Sequence, residues 1–142
     1  MSRTIINYPE KTLFSCNIPI RITDINYGQH LAHDKLISIL HESRAQFFQH
    51  FNMSESNIEG LGIIMSDLTI KYQAEAFYPD FLTIEISLAD PTRCGFNMFY
   101  RITKSDTKII ATAKTGLVFF NYQHKKPAST PASFNDLLKV LA

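Results

Sequence analysis

One run constrains this chain more than any other. From Asp34 to Phe51 it carries no Gly or Pro, and Leu36, Leu40, Phe47 and Phe51 recur at helical spacing, with Ile37, Ile39 and Phe48 widening the apolar face. A helix that is apolar over more than half its circumference cannot rest on a surface by one stripe. Something must curl around it.

The remainder of the chain is patterned as strands. Thr12 to Ile22 alternates, with Phe14, Cys16, Ile18, Ile20 and Ile22 on one face, and Pro19 points to an edge or a bulge. Gly62 to Glu75 is a second strand of mixed pattern. Phe81 to Leu88, Arg93 to Thr103 and Lys108 to Tyr122 follow, with Gly116 as a candidate bulge. Tyr78-Pro79-Asp80, Asp90-Pro91-Thr92 and Ser105-Asp106-Thr107 supply the turns. His124 to Thr130 is a polar linker. Ser133 and Asp136 fit a variant capping box that opens a short helix with Phe134, Leu137, Leu138 and Leu141 as its apolar residues. The order is strand, long helix, four strands, short helix. It predicts one α+β domain over residues 1–142, in which a curved antiparallel five-stranded sheet wraps the central helix. A sheet of five strands leaves open edges, so a covering second copy is expected.

A polar loop leads into the long helix: Asp24, Asn26, His30, His33 and Asp34. The first N–H groups of a helix lack partners within it and carry partial positive charge. They can hold a carbonyl oxygen that is becoming negative, while a neighbouring carboxylate serves as nucleophile or general base. Asp24 is the first choice for that carboxylate; its alternative role is an Asx turn that shapes the loop. Asp34 is the reserve acid and otherwise caps the helix start. Asn26 would orient water or the carbonyl, and His30 and His33 would orient the acid or donate to substrate. Gly60, Leu61 and Gly62 form a turn where backbone amides can approach a ligand. His41, Glu42 and Arg44 read as structural or surface pairs on the helix, and Asp67 as an exposed or interface acid.

Composition narrows the classes. The 142 residues are 45% hydrophobic and carry a net charge of +1, enough apolar residues for one core and no concentrated basic face for nucleic acid. Lys125-Lys126 with His124 reads as a solvated loop. Cys16 and Cys94 lie far apart and in no metal spacing, so no metal is expected. No apolar run reaches the ~18 residues of a membrane span and the first residues lack a signal-peptide pattern, so the expected location is cytoplasmic.

The order of elements, with DINYGQH ahead of a helix that carries HESRAQFF, resembles the hotdog-fold acyl-CoA thioesterases, a group related to the 4-hydroxybenzoyl-CoA thioesterases. The specific part of the resemblance is Asp24, Asn26, Gly28 and His30, then Glu42 and Arg44. It implies a hotdog fold and hydrolysis of a thioester of CoA or acyl-carrier protein. It also implies homodimers or homotetramers with sites at the subunit interface, and no cofactor beyond the CoA of the substrate. In one branch the catalytic acid matches Asn26 and pairs with a His matching His33; with Asn at that position, the arrangement cannot operate unchanged. The alternatives are an acyl-CoA binding protein without chemistry, and a hydratase or dehydratase on the same architecture.

Overall fold

The computed structural model describes residues 4–105 and 107–140. Asp106, expected in a turn, and Leu141, expected on the face of the last helix, lie outside the described residues. The apolar run forms α1 (His33–His50), which buries Leu36, Ile39, Leu40, Phe47 and Phe48. Ile37, counted on the apolar face by spacing, is 40% exposed. Asn52 takes the left-handed conformation just past the helix, at φ 59°, and its N–H bonds the Gln49 carbonyl.

The strands are β1 (Phe14–Pro19), β2 (Gly62–Tyr72), β3 (Phe81–Ala89), β4 (Gly95–Lys104), β5 (Lys108–Asn121) and a two-residue β6 (Lys126–Pro127). They form one antiparallel sheet in the order β1-β3-β4-β5-β2, with β6 beside β5. A sixth strand therefore lies where the sequence reads as a linker. It is short because only Pro127 and Lys126 pair, opposite Phe120 and Asn121. Both long edges, β1 and β2, remain open, and Pro19 ends β1 on its edge as expected.

Alternation sends Leu82, Ile84, Ile86, Met98, Tyr100 and Ile102 into one core with the buried stripe of α1. The opposite face of the sheet carries Glu85, Ser87 and Arg101. There the segment before β1 crosses it: Ser87 bonds the Lys11 carbonyl, and the Arg101 guanidinium sits 4.3 Å over the Tyr8 ring.

Three local expectations shift. The irregularity near Gly116 lies on the partner strand: β2 bulges between Met65 and Asp67, which explains its mixed pattern. Gly116 is needed opposite, since a Cβ there would sit 2.3 Å from Asp67 Oδ1, the atom that accepts the Gly116 N–H at 2.8 Å. Ile22 leaves the β1 alternation and is 66% exposed, because the chain turns into a 3₁₀ segment at Ile22–Asp24. Lastly, α2 (Ala132–Val140) starts one residue before Ser133, so Ser133 is not its cap. Instead, Glu59 from the loop after α1 accepts both the Ser133 N–H at 3.1 Å and its hydroxyl at 2.6 Å, which holds the Glu59 carboxyl below its usual range. Phe134 then docks α2 against Phe96 and Phe119, with ring centroids 4.5 and 5.2 Å away.

A chain of polar side chains runs through the core. Arg44 on α1 is 7% exposed and donates to Glu55 Oε1 at 2.9 Å and to the Tyr100 hydroxyl at 3.2 Å. Tyr100 in turn meets the Thr115 hydroxyl at 2.9 Å. This ties the middle of α1 to β4, β5 and the loop after the helix, and so fixes the helix's rotation over the sheet. Arg44 is thus a structural residue, as its place in mid-helix suggests. Removing one partner of a buried pair leaves the others uncompensated, so Arg44→Ala is expected to cost about 3 kcal/mol in urea unfolding. A cost below ~1 kcal/mol would mean that the chain holds nothing.

Candidate active site

The polar loop is closed by its first acid. Asp24 Oδ2 accepts the Arg21 backbone N–H at 2.9 Å, and the Arg21 guanidinium reaches the two carboxylate oxygens at 3.3 and 3.4 Å. Asp24 is 1% exposed, and its carboxylate is engaged by its own turn. Its carbonyl accepts the Ala32 N–H at 3.0 Å, so one residue ties the loop's beginning to its end.

Asn26 builds the tip. Its Oδ1 accepts the Gly28 N–H at 3.0 Å and the His30 N–H at 3.5 Å. Those two donors assign the amide: oxygen faces the loop, so Nδ2 is the free end. Gly28 lies so close under the His30 ring that an added Cβ would come within 3.1 Å of Nε2. Gln29 completes the turn at φ 64°, bonding back to the Asn26 carbonyl at 2.9 Å.

A second hydrogen bond docks the loop on the sheet: Leu31 N–H to the Ala76 carbonyl at 2.8 Å. Just past β2 the chain bends, and Ala74 N–H bonds the Ile110 carbonyl at 3.2 Å. Between loop and bend lies a pocket of about 230 Å³, lined by Asn26, His30, His33, Tyr72 and Glu75, with Leu36 and Ile110 at its apolar floor. The Tyr72 hydroxyl donates to the His33 carbonyl at 2.8 Å, and the two rings meet edge-on. Burial and the nearby Asp34 carboxylate push the Tyr72 hydroxyl up from its ordinary value, so it stays a donor. Glu75 Oε1 stands 4.0 Å from His30 Nε2.

The start of α1 opens on the same pocket through Ala32 and His33. The N-cap is Ala32, which offers no side-chain acceptor. Lys35 and Leu36 N–H both turn back to the Ala32 carbonyl, which leaves the His33 and Asp34 amides for a ligand.

Of the residues expected in a site, Asn26, His30 and His33 therefore share one pocket. Asp24 lines a separate depression on the other side of the loop, beside Arg21, Ser38 and Glu42. Asp34 is exposed in the first turn of α1 and does not line the pocket. Gly60, Leu61 and Gly62 belong to a separate hairpin: Gly60 N–H bonds Asn57 Oδ1, and Gly62 packs under the Tyr122 ring. Tyr72 and Glu75 are the additions that sequence reasoning missed. The available signal was an acid between two alanines, Ala74-Glu75-Ala76, immediately before a turn.

The sequence model of the thioesterase-like superfamily matches residues 20–138. No curated protein sequence matches the chain. Among solved structures, the chain is similar to a 1,4-dihydroxy-2-naphthoyl-CoA thioesterase from Synechocystis. The two are 17% identical, with a TM-score of 0.81 over 90% of this chain and 96% of that one. A Pseudomonas aeruginosa protein described as a candidate thioesterase is 15% identical, with a TM-score of 0.82 over 89% and 98%. A Staphylococcus aureus protein solved in complex with CoA is 18% identical, with a TM-score of 0.81 over 93% and 85%. At these identities the likeness is one of fold.

Proposed function

Because the chain belongs to the thioesterase-like superfamily, we propose that it hydrolyses an acyl-CoA thioester in the pocket between the Asn26 loop and the bend after β2. The observation that carries this reading is the convergence of the free Asn26 amide and the uncapped start of α1 on one apolar-floored pocket. Hydrolysis needs an oxyanion to be held as water adds to the carbonyl. Asn26 Nδ2 and the α1 amides are donors of that kind, fixed before substrate arrives. The thiolate leaves readily, so strong acid assistance is unnecessary. CoA is favoured over a carrier protein by the Staphylococcus aureus neighbour, which was solved with CoA.

A second copy completes the site in this reading. The pocket is smaller than the usual ligand cavity of ~300–1,000 Å³. Its outer wall, Tyr72 and Glu75, continues the open edge of β2, where Ile64, Met65 and Leu68 are 36–39% exposed. An edge strand carrying apolar side chains is a pairing surface. A homodimer along β2 would cover that edge and add the missing wall.

The second reading, binding of an acyl-CoA without chemistry, is favoured by Asn26 standing where the related branch has an acid. Thiol release from a panel of short, long and aromatic acyl-CoA esters separates the two. Turnover is expected, and Asn26→Ala should lower kcat about 10²-fold, the usual loss for one oxyanion donor. Calorimetric binding of the same esters with no thiol release at micromolar protein would move the assignment to the binding reading. For the assembly, sedimentation at low micromolar concentration should give a dimer or larger species that Leu68→Lys dissociates. A stable wild-type monomer contradicts it.

A further inference from the structure

Thioester hydrolysis needs a group that takes a proton from water, and the loop offers none at Asn26. We propose that Glu75 is that general base, held opposite His30; this rests on the thioesterase reading above. Four observations lead to it. Among the carboxylates of the described residues, Glu75 is the one that lines the pocket. The two acids of the loop are placed otherwise: the Asp24 carboxylate is bound by Arg21, and Asp34 is exposed and does not line the pocket. The Glu75 backbone is pinned on both sides, by Ala74 N–H to the Ile110 carbonyl at 3.2 Å and by the Ala76 carbonyl to Leu31 N–H at 2.8 Å. Finally, Glu75 Oε1 and His30 Nε2 are 4.0 Å apart, too far for a direct hydrogen bond and suited to sharing one water.

His30 is oriented for that role. Its Nδ1 faces the Leu31 carbonyl at 3.4 Å, which favours the ring proton on Nδ1 and leaves Nε2 as an acceptor. A shared water then donates one proton to Nε2 and the other toward Glu75, with its lone pairs free for the carbonyl carbon. The Glu75 carboxylate takes a proton as the water oxygen bonds that carbon. The carbonyl electron pair moves to oxygen, where Asn26 Nδ2 and the α1 amides hold it. When the intermediate collapses, the C–S bond breaks and the sulfur leaves with the bonding pair. It receives the proton from Glu75, which restores the carboxylate and yields a free acid and a thiol. The carboxylate side chain is 65% exposed, at the pocket mouth where water enters.

The experiment follows thiol release from an acyl-CoA that the wild-type protein turns over. Glu75→Gln should lower kcat at least ~10²-fold with little change in KM. Glu75→Ala should lose as much and regain rate when formate is added, because a small carboxylate can fill the space and take the proton. A structural role would not respond to formate. Glu75→Gln retaining more than about a tenth of kcat sinks the assignment, as does a larger loss in Asp24→Asn or Asp34→Asn. A wild-type protein that releases no thiol from any ester overturns the thioesterase reading itself. An active wild type with an active Glu75→Gln overturns Glu75 alone.

Discussion

Two backbone hydrogen bonds decide what this fold can do. Ala32 N–H to the Asp24 carbonyl, at 3.0 Å, closes the polar loop on itself. Leu31 N–H to the Ala76 carbonyl, at 2.8 Å, fastens that loop to the bend after β2. Without the second bond, Asn26 and His30 would sit on a free loop, with Glu75 on an unrelated edge. With it, the three line one pocket and the start of α1 opens between them. The assembly of the pocket therefore depends on main-chain pairing more than on any single side chain.

The position of α1 is fixed from its middle. Arg44 links it to Glu55 and Tyr100, and Tyr100 to Thr115, so the helix cannot slide along its apolar stripe without breaking buried polar contacts. Phe134 closes the core from the far side, and Glu59 secures the helix that carries it. The described helices include none long and apolar enough to cross a membrane. The pocket itself is framed by Ala32, a residue that offers no cap. A helix start without a side-chain acceptor usually sacrifices about 1 kcal/mol. Here the unpaired donors are what a developing oxyanion would use.

The architecture was legible because period and burial agree. The helical run from Asp34 and the alternation in β3 and β4 predict the buried stripe and the buried strand faces, and Pro19 marks the edge. What depended on chain pairs far apart in sequence was not legible. The capping of α2 comes from Glu59, which is 74 residues before Ser133 in the chain, and no local pattern announces it. The β2 bulge blurred an alternation that reads cleanly only once Gly116 is seen opposite Asp67. Of the loop residues that stand out by type, Asn26, His30 and His33 share one pocket. Spacing could not say which way the Asp24 carboxylate turns. That follows from the 3₁₀ turn at Ile22, which brings Arg21 onto it. In sequence Glu75 reads as the end of a strand, and only the Leu31–Ala76 contact brings it to His30.

The most direct measurement of the central claim is a crystal structure with a non-hydrolysable acyl-CoA thioether ketone bound. Its carbonyl oxygen is expected at hydrogen-bonding distance from Asn26 Nδ2 and the first amides of α1, with the carbonyl carbon facing the gap between His30 and Glu75. A ligand seated instead in the depression beside Arg21 and Asp24, with the Asn26 pocket empty, would contradict it.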